Sequence, residues 1–236
     1  MLAEAIKKII EVSTPDDIRI GREHYWPGSL APFTVEKPFA KAIELHSLDA
    51  LVKLIKNDAL HTDRVFVDVM DATNVRVFTQ MDDDHDREVL YRARADVPGF
   101  SDGYREYEKF VIELRSRFIK NNGSAYLLDL LSKIDVTEGA SSQDNGVTQQ
   151  VVVRSGIALK EGVTVKPIVA LRPYRTFMEV EQPESEFLVR VDRTGCVGLY
   201  EADGGMWQQE AKRNIADWLS AEMGPLVEEG LVVVMM

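Results

Sequence analysis

The stretch Asp82-Asp83-Asp84-His85-Asp86 places four carboxylates and an imidazole in five consecutive positions. Oxygen-rich clusters of this kind bind hard cations, and a bound cation would in turn supply a hydrolytic centre. The spacing argues against that chemistry. It lacks the Asp-x-Asp-x-Asp-Gly order and the distal glutamate of a calcium loop. Metal-dependent phosphohydrolysis on His85-Asp86 would need further His and Asp ligands on helices, whereas the flanks here alternate as strands do. The histidines His24, His46, His61 and His85 include no H-x-H or H-x-x-x-H pair. The segment therefore reads as the acidic tip of a hairpin, because Asp favours turns.

A second unusual stretch is "LRPYRTFMEVEQPESEF", residues 171–187. Arg172 and Arg175 flank Tyr174, Phe177 follows, and Glu179, Glu181, Glu184 and Glu186 come next. One reading makes Arg172, Tyr174, Arg175 and Phe177 a ligand site that grips phosphate and stacks a nucleobase. The other makes the arginines partners of their own downstream glutamates, within the chain or across subunits. Four carboxylates so close favour the second. Cys196, in Gly195-Cys196-Val197-Gly198, reads as a small hydrophobe at a strand entry rather than a nucleophile. No nucleophile elbow, phosphate-binding loop or glycine-rich dinucleotide fingerprint occurs. No catalytic residue, metal or cofactor is assigned.

The composition fits a non-membrane, intracellular protein. One cysteine excludes an internal disulfide and a cysteine-based zinc site, and suits a reducing cytoplasm. No apolar run approaches the roughly 20 residues that span a bilayer. The segment MLAEAIKKIIEVS lacks the features of a secretory signal; its Leu2, Ile6, Ile9 and Ile10 share a helical face. The net charge of −11 argues against nucleic acid as a main partner and requires any oligomer to offset repulsion with apolar contact.

These residues must be positioned by a chain of 236 residues, read as one structural unit of α+β class. Residues 1–40 form an N-terminal helix and an extended arm, interrupted by Pro15, Pro27, Pro32 and Pro38 yet rich in aromatics. Ser47 caps a short amphipathic helix over Leu48–Asn57. Residues 62–97 form a β-meander excursion: Val65, Val67 and Val69, then Val75, Val77, Thr79 and Met81, then Val89, Tyr91, Ala93 and Ala95 alternate with period two. The body, 103–236, opens with a long central helix. Tyr104, Tyr107, Val111, Leu114 and Phe118 line one face over roughly five turns. A second helix follows over Ser124–Lys133. Residues 137–146, "TEGASSQDNG", read as an exposed loop. Strands are expected over Val147–Arg154, Val163–Leu171, Glu186–Asp192 and Val197–Glu201, then a helix around Trp207–Leu219. "GLVVVMM" reads as a strand paired in a sheet or covered between subunits.

"GVTQQVVVRSGIAL" (146–159), "ALRPYRTFMEVEQPESEFLVR" (170–190) and "YEADGGMWQQEAKRNIADWL" (200–219) resemble the YfdQ-like family of prophage and tailed-phage proteins, with weaker similarity at 46–55 and 108–118. The resemblance covers about four fifths of the chain and leaves out residues 1–40. It implies phage origin and the cytoplasm of a bacterial host, and it supplies no catalytic residues. The order of arm, β excursion, helix and mixed body is similar to the tailed-phage capsid and encapsulin shell fold, a likeness of fold only.

These readings lead to a non-enzymatic, self-assembling phage protein whose partner is itself, a closed homo-oligomer in the form of a hollow shell or nanocage. Its interface is expected at Tyr25, Trp26 and Phe33 of the arm and at Asp83 and His85 of the hairpin tip. The alternative is a nucleic-acid or nucleotide binder for phage replication, recombination or counter-defence, acting through Arg172, Tyr174, Arg175 and Phe177.

Overall fold

The computed structural model describes residues 3–6, 8, 18–20, 23–25, 32–33, 41–58, 64–82, 85–133, 141–144, 149–152, 154–155, 158–159, 163–192 and 196–236. Its contacts divide the chain into two compact units, one of residues 1–41 with 81–88, the other of 42–80 with 89–236.

In the first unit, residues 3–6 and 8 are helical. The segment expected to be irregular contains three short strands, β1 (Ile18–Ile20), β2 (Glu23–Tyr25) and β3 (Pro32–Phe33). They form an antiparallel sheet in which Ile18 lies opposite Tyr25 and His24 opposite Phe33. Strands of two or three residues are too short to display alternation, so the sequence pattern misses them. Trp26 lies outside the described residues.

The second unit is built on two five-stranded sheets. The first takes β4 (Ile43–Leu45), β5 (Val65–Val69), β6 (Asn74–Thr79), β7 (Val89–Arg94) and β18 (Val232–Met235). Helix α1 (Leu48–Asp58) follows β4. The meander is present as expected, and the turn after β5 is closed by Asp71, which accepts hydrogen bonds from Thr73 N–H at 2.7 Å and Asn74 Nδ2 at 2.9 Å. The meander strands are not an excursion, however. They are the centre of the sheet, flanked by β18, parallel to β5, and by β4, parallel to β7. Their inward faces explain this: Val65, Val67, Val69, Val75 and Val77 are all buried, together with Leu48, Leu51 and Ile55 of α1. Burying a valine or leucine contributes roughly 1.5–3 kcal/mol, which a projecting hairpin would forgo. The strand expected over the "GLVVVMM" run is β18, and it is paired.

The second sheet, in the order β8-β17-β16-β15-β9, is antiparallel throughout. Its strands are β8 (Gly103–Arg105), β9 (Phe118–Ile119), β15 (Ile168–Pro173), β16 (Ser185–Val191) and β17 (Val197–Glu201). Helices α2 (Tyr107–Ser116) and α3 (Asn122–Lys133) pack on it through Phe110, Leu114, Leu127 and Leu131. The long helix of the sequence reading is thus a 10-residue α2 bracketed by strands. Tyr104 and Phe118 continue the helical spacing but belong to β8 and β9, where pairing with Gly198 and Pro173 replaces the helical bonds.

A smaller sheet joins β10 (Ser141–Asp144), β11 (Gln149–Val152) and β14 (Val163–Val165), and β12 (Arg154–Ser155) pairs with β13 (Ala158–Leu159). Part of the expected loop 137–146 is therefore the strand β10, paired residue for residue with β11; residues 137–140 and 145–146 lie outside the described residues. Helices α4 (Met206–Glu222) and α5 (Gly224–Glu228) complete the body. The chain is a mixed α+β fold. No helix among the described residues is long and apolar enough to cross a membrane.

Candidate functional site

The acidic segment closes as a turn. Asp82 N–H donates to Asp86 C=O at 3.0 Å, His85 N–H donates to Asp82 C=O at 3.0 Å, and Asp86 N–H donates to Asp82 Oδ1 at 2.9 Å. His85 takes φ +66°, a left-handed conformation that His tolerates better than most side chains. Asp83 and Asp84 lie outside the described residues. Among the described residues, no three His, Cys, Asp or Glu side chains are gathered to hold a metal ion.

The arginine-rich stretch is the loop between β15 and β16, and it engages both cores of the body. It leaves and re-enters the second sheet, yet Phe177 and Val180 are buried in the core of the first sheet with Ile215 and Leu219 of α4. Thr176 Oγ1 donates to Ala72 C=O, in the β5–β6 turn, at 2.6 Å. Glu179 Oε1 accepts Leu48 N–H at 2.7 Å and so caps α1 from outside, beside the Ser47 Oγ that accepts Ala50 N–H at 3.2 Å. A carboxylate at a helix N-terminus satisfies orphan donors and opposes the dipole. Buried Gln182 shapes the loop internally: its Oε1 accepts Arg175 N–H at 3.0 Å and Thr176 N–H at 3.1 Å, and its Nε2 donates to Phe177 C=O at 2.9 Å.

Arg175 is the centre of the polar part. Its side chain is 4% exposed. One terminal nitrogen contacts Glu201 Oε1 at 2.5 Å and the other donates to Ser185 Oγ. Ser185 Oγ donates in turn to Asp203 Oδ2 at 2.5 Å, and Asp203 Oδ1 accepts Gly205 N–H, at the start of α4, at 3.0 Å. The guanidinium carbon lies 4.0 Å from the Trp207 ring centroid, and Trp207 Nε1 donates to the second Glu201 oxygen at 3.3 Å. Burial pulls the Arg175 pKa down to about 10 against the opposing pull of Glu201 and Asp203, so the group is charged at neutral pH. Burial pushes the Asp203 carboxyl up, but hydrogen bonds from Ser185 and Gly205 and the charge of Arg175 outweigh it and hold the pKa below the usual Asp value.

Arg172 lies nearer solvent and is bonded to Glu181 at 2.8 Å and Glu184 at 3.2 Å. It meets its downstream glutamates; Arg175 instead reaches Glu201 and Asp203, beyond β16, which sequence proximity did not indicate. Phe177 is 1% exposed and packs in the first core. Tyr174 is half-buried, and its N–H donates to Arg117 C=O at 2.9 Å. A phosphate or base at Arg172 would have to displace two carboxylates. Tyr25 and Phe33 stand in β2 and β3.

A groove of about 370 Å³ lies at the N-terminus of α3, lined by Asn121, Gly123, Tyr126, Lys166, Ile168 and Glu184 among others. Asn121 caps the helix, its Oδ1 accepting Ser124 N–H at 2.8 Å while Ser124 Oγ accepts Asn121 N–H at 2.9 Å. Lys166 places its ammonium 4.9 Å from the Tyr126 ring centroid.

The fold and this loop define a mixed α+β body held together by a buried ion-pair loop. Comparison with protein-family models, curated proteins and solved structures gives no match for the chain.

Proposed function

We propose that the chain is a non-enzymatic, phage-encoded protein of the YfdQ-like kind that assembles with copies of itself into a closed homo-oligomer in the cytoplasm of a bacterial host. The observation that carries this reading is the division of the chain: the N-terminal segment and the tip 81–88 gather into a unit of their own, separate from the body. A terminal segment that makes its own small sheet is the kind of element exchanged or docked between copies. Tyr25, Phe33 and His85 all belong to that unit. Support comes also from the surface. Ile112, Met178 and Met206 are 65%, 65% and 75% exposed, while Arg172 and Arg175 are engaged with Glu181, Glu184 and Glu201 inside the chain.

The finer form of the proposal is a hollow shell similar to the capsid and encapsulin fold. That likeness leans on a long spine helix, and α2 spans 10 residues, so the shell is the less supported part. The nucleic-acid reading is weaker still, because Arg175 and Phe177 are buried in the body. Light scattering on the eluting full chain, followed by negative-stain imaging, tests the proposal. Discrete particles of closed outline are expected; a monomer at micromolar concentration overturns it.

A further inference from the structure

The second sheet buries one face and leaves the other open. The inward residues of β16, Phe187, Val189 and Val191, lie in the core with α2 and α3. The outward residues belong to neither apolar core. Among them Ile168, Leu188 and Tyr200 stand opposite one another across β15, β16 and β17 and form an apolar row. Ile168 is 49% exposed, and Leu188 and Tyr200 are half-buried. Beside the row the Tyr104 and Tyr200 rings meet edge to face, 6.0 Å apart, over Gly198. A Cβ there would come within 2.9 Å of the Tyr200 ring, so glycine lets the rings lie on the sheet.

Two charges flank the row on the same strand and the same face. Side chains alternate along a strand, so Glu186 and Arg190 point the way Leu188 does, one on each side of it. Glu186 is exposed and Arg190 half-buried. Neither side chain enters an ion pair or a hydrogen bond among the described residues. The Arg190 Nη1, shielded from water, lacks an acceptor, which is destabilising. Arg172, also on this face, is already held by Glu181 and Glu184 and is not free for Glu186.

Resting on the self-assembly reading, we infer that this face docks on the same face of a second copy, about a twofold axis along the Ile168–Leu188–Tyr200 row. The occupant is selected by charge. That axis lays β16 antiparallel on its counterpart, so Glu186 of each chain meets Arg190 of the other and the apolar row lies on itself. A twofold along the strands would instead set Glu186 on Glu186 and Arg190 on Arg190. Each chain carries a net charge of −11, so a copy is admitted where local charges attract. Sheets pack face to face about 10 Å apart, a gap that Glu and Arg side chains bridge between them. The contact is isologous, the commonest closed symmetry.

The test measures the concentration at which the full chain dissociates, by light scattering over a dilution series, for wild type, Glu186→Arg and Arg190→Glu, with thermal unfolding to show that each folds. Each reversal sets like charges across the axis and is expected to raise that concentration roughly tenfold or more. An equimolar mixture of the two variants is expected to assemble near the wild-type concentration, because every contact in a mixed pair is again acid against base. Should Arg190→Glu fail to fold, the exposed Glu186→Arg decides alone: its deficit narrows in added salt, which screens like charges. Reversed chains that assemble like wild type, a mixture no better than its components, or a deficit that salt leaves unchanged overturns the docking face and leaves the assembly reading standing. A monomeric wild type overturns both, including one that holds oligothymidine or an acidic peptide at Arg190 instead.

Discussion

Taking a guanidinium out of water costs several kcal/mol, recovered only when its carboxylates and hydrogen bonds are well placed. At Arg175 most are: Glu201, Ser185, Asp203 and the Trp207 face surround a side chain that is almost fully buried, and Nε alone has no hydrogen-bond partner among the described residues. Arg175→Met leaves Glu201 and Asp203 without their cation and is expected to destabilise the chain by about 3–5 kcal/mol in urea unfolding. Arg172→Ala, at a more exposed ion pair, is expected to cost about 1 kcal/mol or less. If the arginines formed a ligand site instead, neither substitution would move the midpoint while both would abolish binding. Asp203 adds a pH dependence. Its carboxyl has a folded pKa below the unfolded value, so its contribution is present above the ordinary Asp range and is lost as pH falls through the folded pKa. Asp203→Asn is accordingly expected to be less stable at neutral pH and to show a flatter decline on acidification than wild type. A parallel decline would place the titration elsewhere. The Arg172 pairs were legible in the run of downstream glutamates; those of Arg175 were not, because Glu201 and Asp203 reach it only through the antiparallel return of β16 and β17.

Elements carried by many alternating or periodic apolar residues were legible, and short ones were not. Alternating inward residues specified β5 and β6 through their valines and β7 through Tyr91 and Ala93, and Leu48, Leu51 and Ile55 specified α1. β1, β2, β3 and β10 escaped, being short or polar. The helix over 104–118 was overestimated, since Tyr104 and Phe118 satisfy helical spacing by coincidence. One close approach also left no pattern. At Gly123, in the first turn of α3, a Cβ would sit 2.0 Å from the Ala170 carbonyl oxygen and 2.8 Å from the Val169 side chain. Alanine favours helix over glycine by roughly 1 kcal/mol, yet Gly123→Ala must push α3 off β15. A net loss of roughly 1–2 kcal/mol is expected, within the range for overpacking. Thermal unfolding checks the sign; a stabilised variant would mean that α3 and β15 are not in contact there.

At the scale of the molecule, two apolar cores make one body because the 174–184 loop and α4 start from the second sheet and insert into the first core. The stretch most suggestive of binding thus acts as a fastener: Thr176 bonds the β5–β6 turn, Glu179 caps α1, and Arg175 lies over Trp207 of α4. With those groups engaged inside the chain, the proposed assembly draws on the N-terminal unit and on exposed side chains such as Ile112, Met178 and Met206. The direct measurement is the absolute mass of the full chain in solution, by light scattering across a concentration series at moderate salt. The account predicts one discrete mass, a whole multiple of 26.6 kDa, that persists on dilution into the micromolar range. A chain that stays at 26.6 kDa throughout the series contradicts it.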